Sequence, residues 1–105
     1  MQDSVLAQLN IYSSWVKTGK PCAMILLQNR YVQEAKKYVE NQSLKFYAYE
    51  YYPEWSQIYI YKHDYMLAII KNLPEQPKTK YDHWILGKAF GYSDESIKEY
   101  LDSIW

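Results

Sequence analysis

The sequence predicts a small α+β domain: a three-stranded mixed sheet with helices packed on it. Three observations carry the prediction. Two stretches, "SLKFYAYEYY" and "QIYIYKH", alternate with the period of a strand. The segments before, between and after them repeat apolar residues at spacings of three and four. A chain of 105 residues with 49% apolar content suffices for one core and not for two, so residues 1–105 read as a single domain. The predicted order is α-β-α-β-β-α-α-α.

Each element has a local reason. Asp3 or Ser4 can cap a first helix on which Val5, Leu9, Tyr12 and Val16 share a face, and Gly19 and Pro21 stop it. "CAMILL", bounded by Pro21 and by Gln28-Asn29, reads as a short buried strand. "NRYVQEAKKYVENQ" sets Tyr31, Ala35 and Tyr38 on one stripe with Val32 and Val39 beside it, against Arg30, Glu34 and Lys37. The passage from Cys22 through this helix to Tyr52 is predicted to be a parallel, right-handed crossover. In the next strand Leu44, Phe46 and Ala48 face one way and Tyr47, Tyr49 and Tyr51 the other. In the one after it Ile58 and Ile60 oppose Tyr59 and Tyr61. Pro53-Glu54-Trp55-Ser56 joins the two as a hairpin.

Three helices follow. Asp64 caps the first, which carries Met66, Leu67, Ile69, Ile70 and Leu73 and ends at Pro74. "PEQPKTK" is a proline-punctuated loop. Thr79 to Asp82 has the form of a capping box with Asp in place of Glu, and opens a helix through Phe90. Gly91 ends that helix and Ser93 caps the last one.

Composition narrows the function. Formal charge is zero, so no global field steers the chain toward nucleic acid or an anionic membrane. Of twelve basic residues only Arg30 carries the planar fork suited to phosphate or guanine. One cysteine, Cys22, cannot form an internal disulfide, and "MQDSVLAQLN" lacks the basic start and apolar run of a secretion signal, so the expected compartment is the cytoplasm. The longest apolar run, "AMILL", is too short for a membrane helix. The preference for Lys over Arg, with abundant Tyr, Ile and Asn, suggests an AT-rich bacterial or phage genome.

"ILGKAFGYSDESIKEYL" resembles the helix-turn-helix pattern over 17 residues. Gly87 stands at the small site, Gly91 in the turn, and Leu86, Phe90, Tyr92, Ile97 and Leu101 at the apolar sites. The resemblance implies nucleic-acid binding by the last helix. That helix begins Asp94-Glu95 and continues with Glu99 and Asp102, so it presents the wrong sign to phosphate. A structural tri-helical packing is the competing reading, with the carboxylates favoured by the helix dipole.

No catalytic constellation stands out. His63-Asp64 and Asp82-His83 are imidazole-carboxylate pairs at helix starts, at no diagnostic metal spacing. Cys22 sits before an apolar run, the setting of a buried inert thiol. Gly19, Gly87 and Gly91 cannot build a phosphate-cradling loop. The sequence calls for no catalytic residue, no metal and no cofactor.

The 13 Tyr and 4 Trp are the anomaly. Tyr47, Tyr49, Tyr51, Tyr59 and Tyr61 fall on one sheet face, flanked by Tyr52 and Trp55, and such residues dominate interface hot spots. The competing reading covers that face with helices. The expected function is a non-enzymatic protein-binding module of inhibitor, immunity or adaptor type, bacterial or phage, of the kind that can block a host defence enzyme. These seven aromatic residues are its expected contact set and a protein its partner. The alternative is a helix-turn-helix-like nucleic-acid binder.

Overall fold

The apolar face of "DSVLAQLNIYSSWVK" winds into helix α1 (Asp3–Lys17), with Leu9 and Val16 fully buried. Strand β1 (Cys22–Gln28) follows, then a 3-10 turn (Asn29–Tyr31) into helix α2 (Val32–Glu40). Strands β2 (Lys45–Tyr52) and β3 (Trp55–Tyr61) form the hairpin, and helices α3 (Tyr65–Lys71), α4 (Lys80–Ala89) and α5 (Asp94–Ile104) complete the chain. The computed structural model describes residues 1–105. The fold is α+β, in the element order the sequence predicts.

The strand order is β1-β3-β2 and both ladders are antiparallel. The sheet is therefore not mixed. β1 and β2 point the same way, as the predicted crossover requires, but β3 lies between them. The reason is burial: Ser56 to Tyr61 are all buried, so β3 takes the central place with a neighbour on each edge. The hairpin loop is also tighter than predicted. Only Pro53 and Glu54 turn the chain, Glu54 with φ of 71°, while Trp55 and Ser56 already pair in the sheet. A bulge at Tyr51 shifts the register between Glu50 and Tyr52.

Capping departs from the sequence reading at two helices. Residue Gln2, without a side-chain bond, precedes α1, and Asp3 is its first residue. The Asp64 side chain does not cap α3 but pairs with Lys45 at 2.9 Å. The other two caps form as expected. Thr79 Oγ1 accepts from Asp82 N at 3.1 Å and Ser93 Oγ from Ser96 N at 3.1 Å. The short Asp82 side chain accepts from Lys78 N at 3.0 Å, one residue before the cap.

Two cores form, one on each sheet face. Ala23, Ile25, Leu27, Ile58 and Ile60 meet the buried sides of α1 and α2. On the opposite face Cys22, Tyr59 and Tyr61 meet Met66, Ile70, Leu73 and Ala89. No helix is long and apolar enough to cross a membrane.

Candidate functional site

The tyrosine face exists, but it is half-covered. Tyr59 and Tyr61 are 6% and 5% exposed beneath α3, and Tyr47 and Tyr49 pack half-buried against the same cluster. Tyr59 and Tyr61 are therefore core residues, not contact residues. The cause is chain topology: α3 follows β3 directly and lays Met66 and Ile70 on the face it has just left. The rings interlock, Tyr49 stacked on Tyr59 with centroids 6.5 Å apart and Tyr47 5.9 Å from Tyr49. Lys71 Nζ lies 5.5 Å from the Tyr47 ring centroid.

Burial marks the chemistry of this face. It pushes the Tyr59 hydroxyl far above its ordinary value, with the Tyr49 hydroxyl adding to the effect. Burial also raises Tyr49, with Glu75 contributing, and raises Tyr61. The Cys22 thiol, donating to the Ala89 carbonyl at 3.2 Å, is pushed up to about 12 by burial. A thiol so protonated is a poor nucleophile.

Three of the seven aromatic residues cluster at the hairpin end. Tyr51 and Tyr52 are 42% and 44% exposed and meet edge to face at 5.4 Å; Trp55 lies half-buried 6.2 Å from Tyr52. Beneath them Asn29 donates to Glu50 Oε2 at 2.7 Å and accepts from Ser56 Oγ at 2.5 Å, which fixes the loop against the strand end.

The uncovered part of the tyrosine face continues into the helical pair. One cleft of about 270 Å³ runs between the sheet and α4, past Met24, Tyr49 and Tyr51 to Leu86 and Phe90. A second, of about 420 Å³, lies between α4 and α5 and shares Leu86 and Phe90 as walls. Tyr92 and Tyr100, 56% and 52% exposed, line it, and His83 packs edge to face on Tyr100 at its mouth. Sequence reasoning placed Phe90 and Tyr92 as interior sites of a helix pair and passed over Met24 and Tyr100. For Tyr92 the available signal was its place just after Gly91, where the chain turns outward.

The pair packs closely where the motif places its small residue. A Cβ on Gly87 would sit 2.6 Å from Ile97 Cγ1, so any larger residue forces the Ile97 side chain to shift. Gly91, with φ of 79°, closes α4 by the paired bonds Gly91 N to Lys88 O (3.1 Å) and Tyr92 N to Gly87 O (2.9 Å). Lys20 ties this turn to α1: its Nζ donates to the Phe90 carbonyl at 3.3 Å and lies over the rings of Tyr92 and Trp15. On α5, Lys88 neutralises Asp94. Glu95, Glu99 and Asp102 stay exposed and outside any ion pair. The two histidines keep apart, His63 stacked on Tyr65 and His83 between Tyr100 and Trp105, and no three metal-ligating side chains gather anywhere. No protein-family model matches the chain, and no curated protein matches it.

Proposed function

We propose that the protein is a non-catalytic binding module that docks on a partner protein, in the manner of an inhibitor or adaptor, through the two clefts that meet at Phe90. The observation that carries this reading is the pairing of those clefts. They share walls at Leu86 and Phe90 and are rimmed by the exposed rings of Tyr51, Tyr92 and Tyr100. Aromatic rims around an apolar hollow supply large contact area at low rotamer cost, the composition of an interface centre. The hairpin pair Tyr51 and Tyr52 extends the same surface, while the acidic outer side of α5 favours apolar anchors flanked by cations and disfavours phosphate.

The test is capture of the partner by tagged protein from lysate of the source cell or its host, with the Tyr92→Ala, Tyr100→Ala double variant alongside. One dominant protein, recovered with wild type and lost with a variant that melts within a few degrees of it, is the expected result. Retention of that protein by the variant, or recovery of nucleic acid in its place, overturns the reading.

A further inference from the structure

The two edges of the sheet are finished differently. β2 carries Lys45 and Glu50, a bulge at Tyr51 and a proline just beyond its end, the devices that keep an edge strand from pairing with another chain. β1, "CAMILLQ", has no charge, no proline and no bulge. Its open row can be assigned. Asn29 N donates to Glu54 O at 2.9 Å, which makes 29 and 54 a bonded pair just past the β1–β3 ladder. Bonded and non-bonded pairs alternate in an antiparallel ladder, so Ala23, Ile25 and Leu27 bond to β3. Cys22, Met24, Leu26 and Gln28 turn their N–H and C=O groups away from β3; Cys22, 1% exposed, is covered there, so Met24, Leu26 and Gln28 form the accessible part of the row. No backbone group outside the ladder bonds to them. Met24 is 42% exposed and Leu26 half-buried, so the middle of this row is open rather than capped by a helix.

We propose that β1 is the pairing edge for a second copy of this chain, joined antiparallel about a two-fold axis at Ile25 to make a continuous six-stranded sheet. The register argues for a copy of itself. An axis at Ile25 sets Met24 of each copy opposite Leu26 of the other, so the accessible outward residues face each other. An uncharged strand meets itself without like charges across the ladder. The guarded β2 edge stops growth, so pairing closes at two copies. The exposed side chains beside the strand, Met24 with the neighbouring Trp15 at 43% exposure, gain cover in the pair. This inference rests on the open strand edge and not on the docking reading, although Met24 also lines the first cleft.

Sedimentation across a range of concentrations, for wild type and for Met24→Lys, tests it. Met24 is solvent-facing, and a lysine there places a cation on the pairing edge. The expected result is a wild-type dimer whose dissociation constant rises roughly tenfold or more in the variant. Hydrogen exchange on wild type supplies a reading that needs no variant: the Met24 and Leu26 amides are protected at concentrations where the dimer forms and exchange freely on dilution. A wild-type monomer at all concentrations overturns the proposal. So do growth beyond two copies, a dimer that Met24→Lys leaves intact, and a dimer whose Met24 and Leu26 amides stay unprotected.

Discussion

The two faces of the sheet are drawn from alternate residues of the same strands, yet one is sealed and the other is not. On the aliphatic face Ile58 and Ile60 are fully buried under α1 and α2. On the tyrosine face α3 is only seven residues long, and the α4 and α5 pair leans on one end, leaving Met24 and Tyr51 each 42% exposed. Side-chain chemistry explains why both arrangements hold. A branched aliphatic side chain has no atom that water can satisfy, so its face must be covered completely. A tyrosine buries its ring and keeps a polar tip for solvent or a neighbour, so partial cover suffices. Incomplete cover is what leaves room for clefts, and the candidate surface lies on that side.

Truncation in the sealed face gives the largest expected effect. Ile60→Ala opens a cavity where nothing can collapse and costs about 2–5 kcal/mol by denaturant titration. Across the sheet, Tyr59→Phe removes one hydroxyl and costs about 1 kcal/mol. Equal losses for the two would break the contrast between the faces.

Alkaline titration separates them by a different route. Cys22, Tyr59, Tyr49 and Tyr61 all hold their protons more tightly in the folded chain, because burial disfavours their anions. Below the unfolded values the fold loses nothing. As pH rises past about 9 for the thiol and about 10 for the phenols, the unfolded chain sheds protons that the folded chain keeps. Stability then falls, by about 1.4 kcal/mol per pH unit for each group lying between its two pKa values. For Cys22 the decline continues to about 12. Melting curves between pH 8 and 11 check this, and Cys22→Ala removes the part that begins earliest. A melting temperature flat through pH 11 would place these groups in water.

Much of this was legible in the sequence because periodicity reports burial. The alternation in "SLKFYAYEYY" and "QIYIYKH" located both strands and sorted Phe46, Ala48, Ile58 and Ile60 from the tyrosines. Turn chemistry was legible as well: Gly91, Thr79 and Ser93 do what their residue types favour. Strand pairing was not, because alternation along one strand says nothing about its neighbour, and β3 takes its place between β1 and β2 through long-range burial. Asp64 looked like a cap, but Lys45, 19 residues away in sequence, claims its carboxylate. The tyrosine face was recognised, and its cover by helices was one of two readings the sequence left open. Whether α3 folds back over Tyr59 depends on the direction the chain leaves β3, which no local pattern encodes. Met24 read as one more member of an apolar run, yet the same edge position that exposes it makes it part of the surface.

The smallest of these effects probes the joint that holds the cover on the tyrosine face. α4 contributes Ala89 to that core, Phe90 just past its end walls both clefts, and the helix rests on α5 where Gly87 meets Ile97. Gly87→Ala forces a methyl to within 2.6 Å of Ile97 Cγ1 and 2.7 Å of Cδ1, and Ile97, 4% exposed, has little room to yield. Overpacking of this kind costs roughly 1–3 kcal/mol, offset in part by about 1 kcal/mol of helix propensity gained on replacing glycine. The net loss is therefore small, but it is directional. The helices separate, so exchange protection falls along α4 and α5 while the amides of α1 and α2 keep theirs. Ile97→Ala in the same chain removes the clashing atoms, and a double-mutant cycle should recover most of the Gly87→Ala penalty as coupling. Uniform loss of protection over both faces would mean that the covers are one cooperative unit, and that the contrast between sealed and half-open faces is one of side-chain chemistry alone.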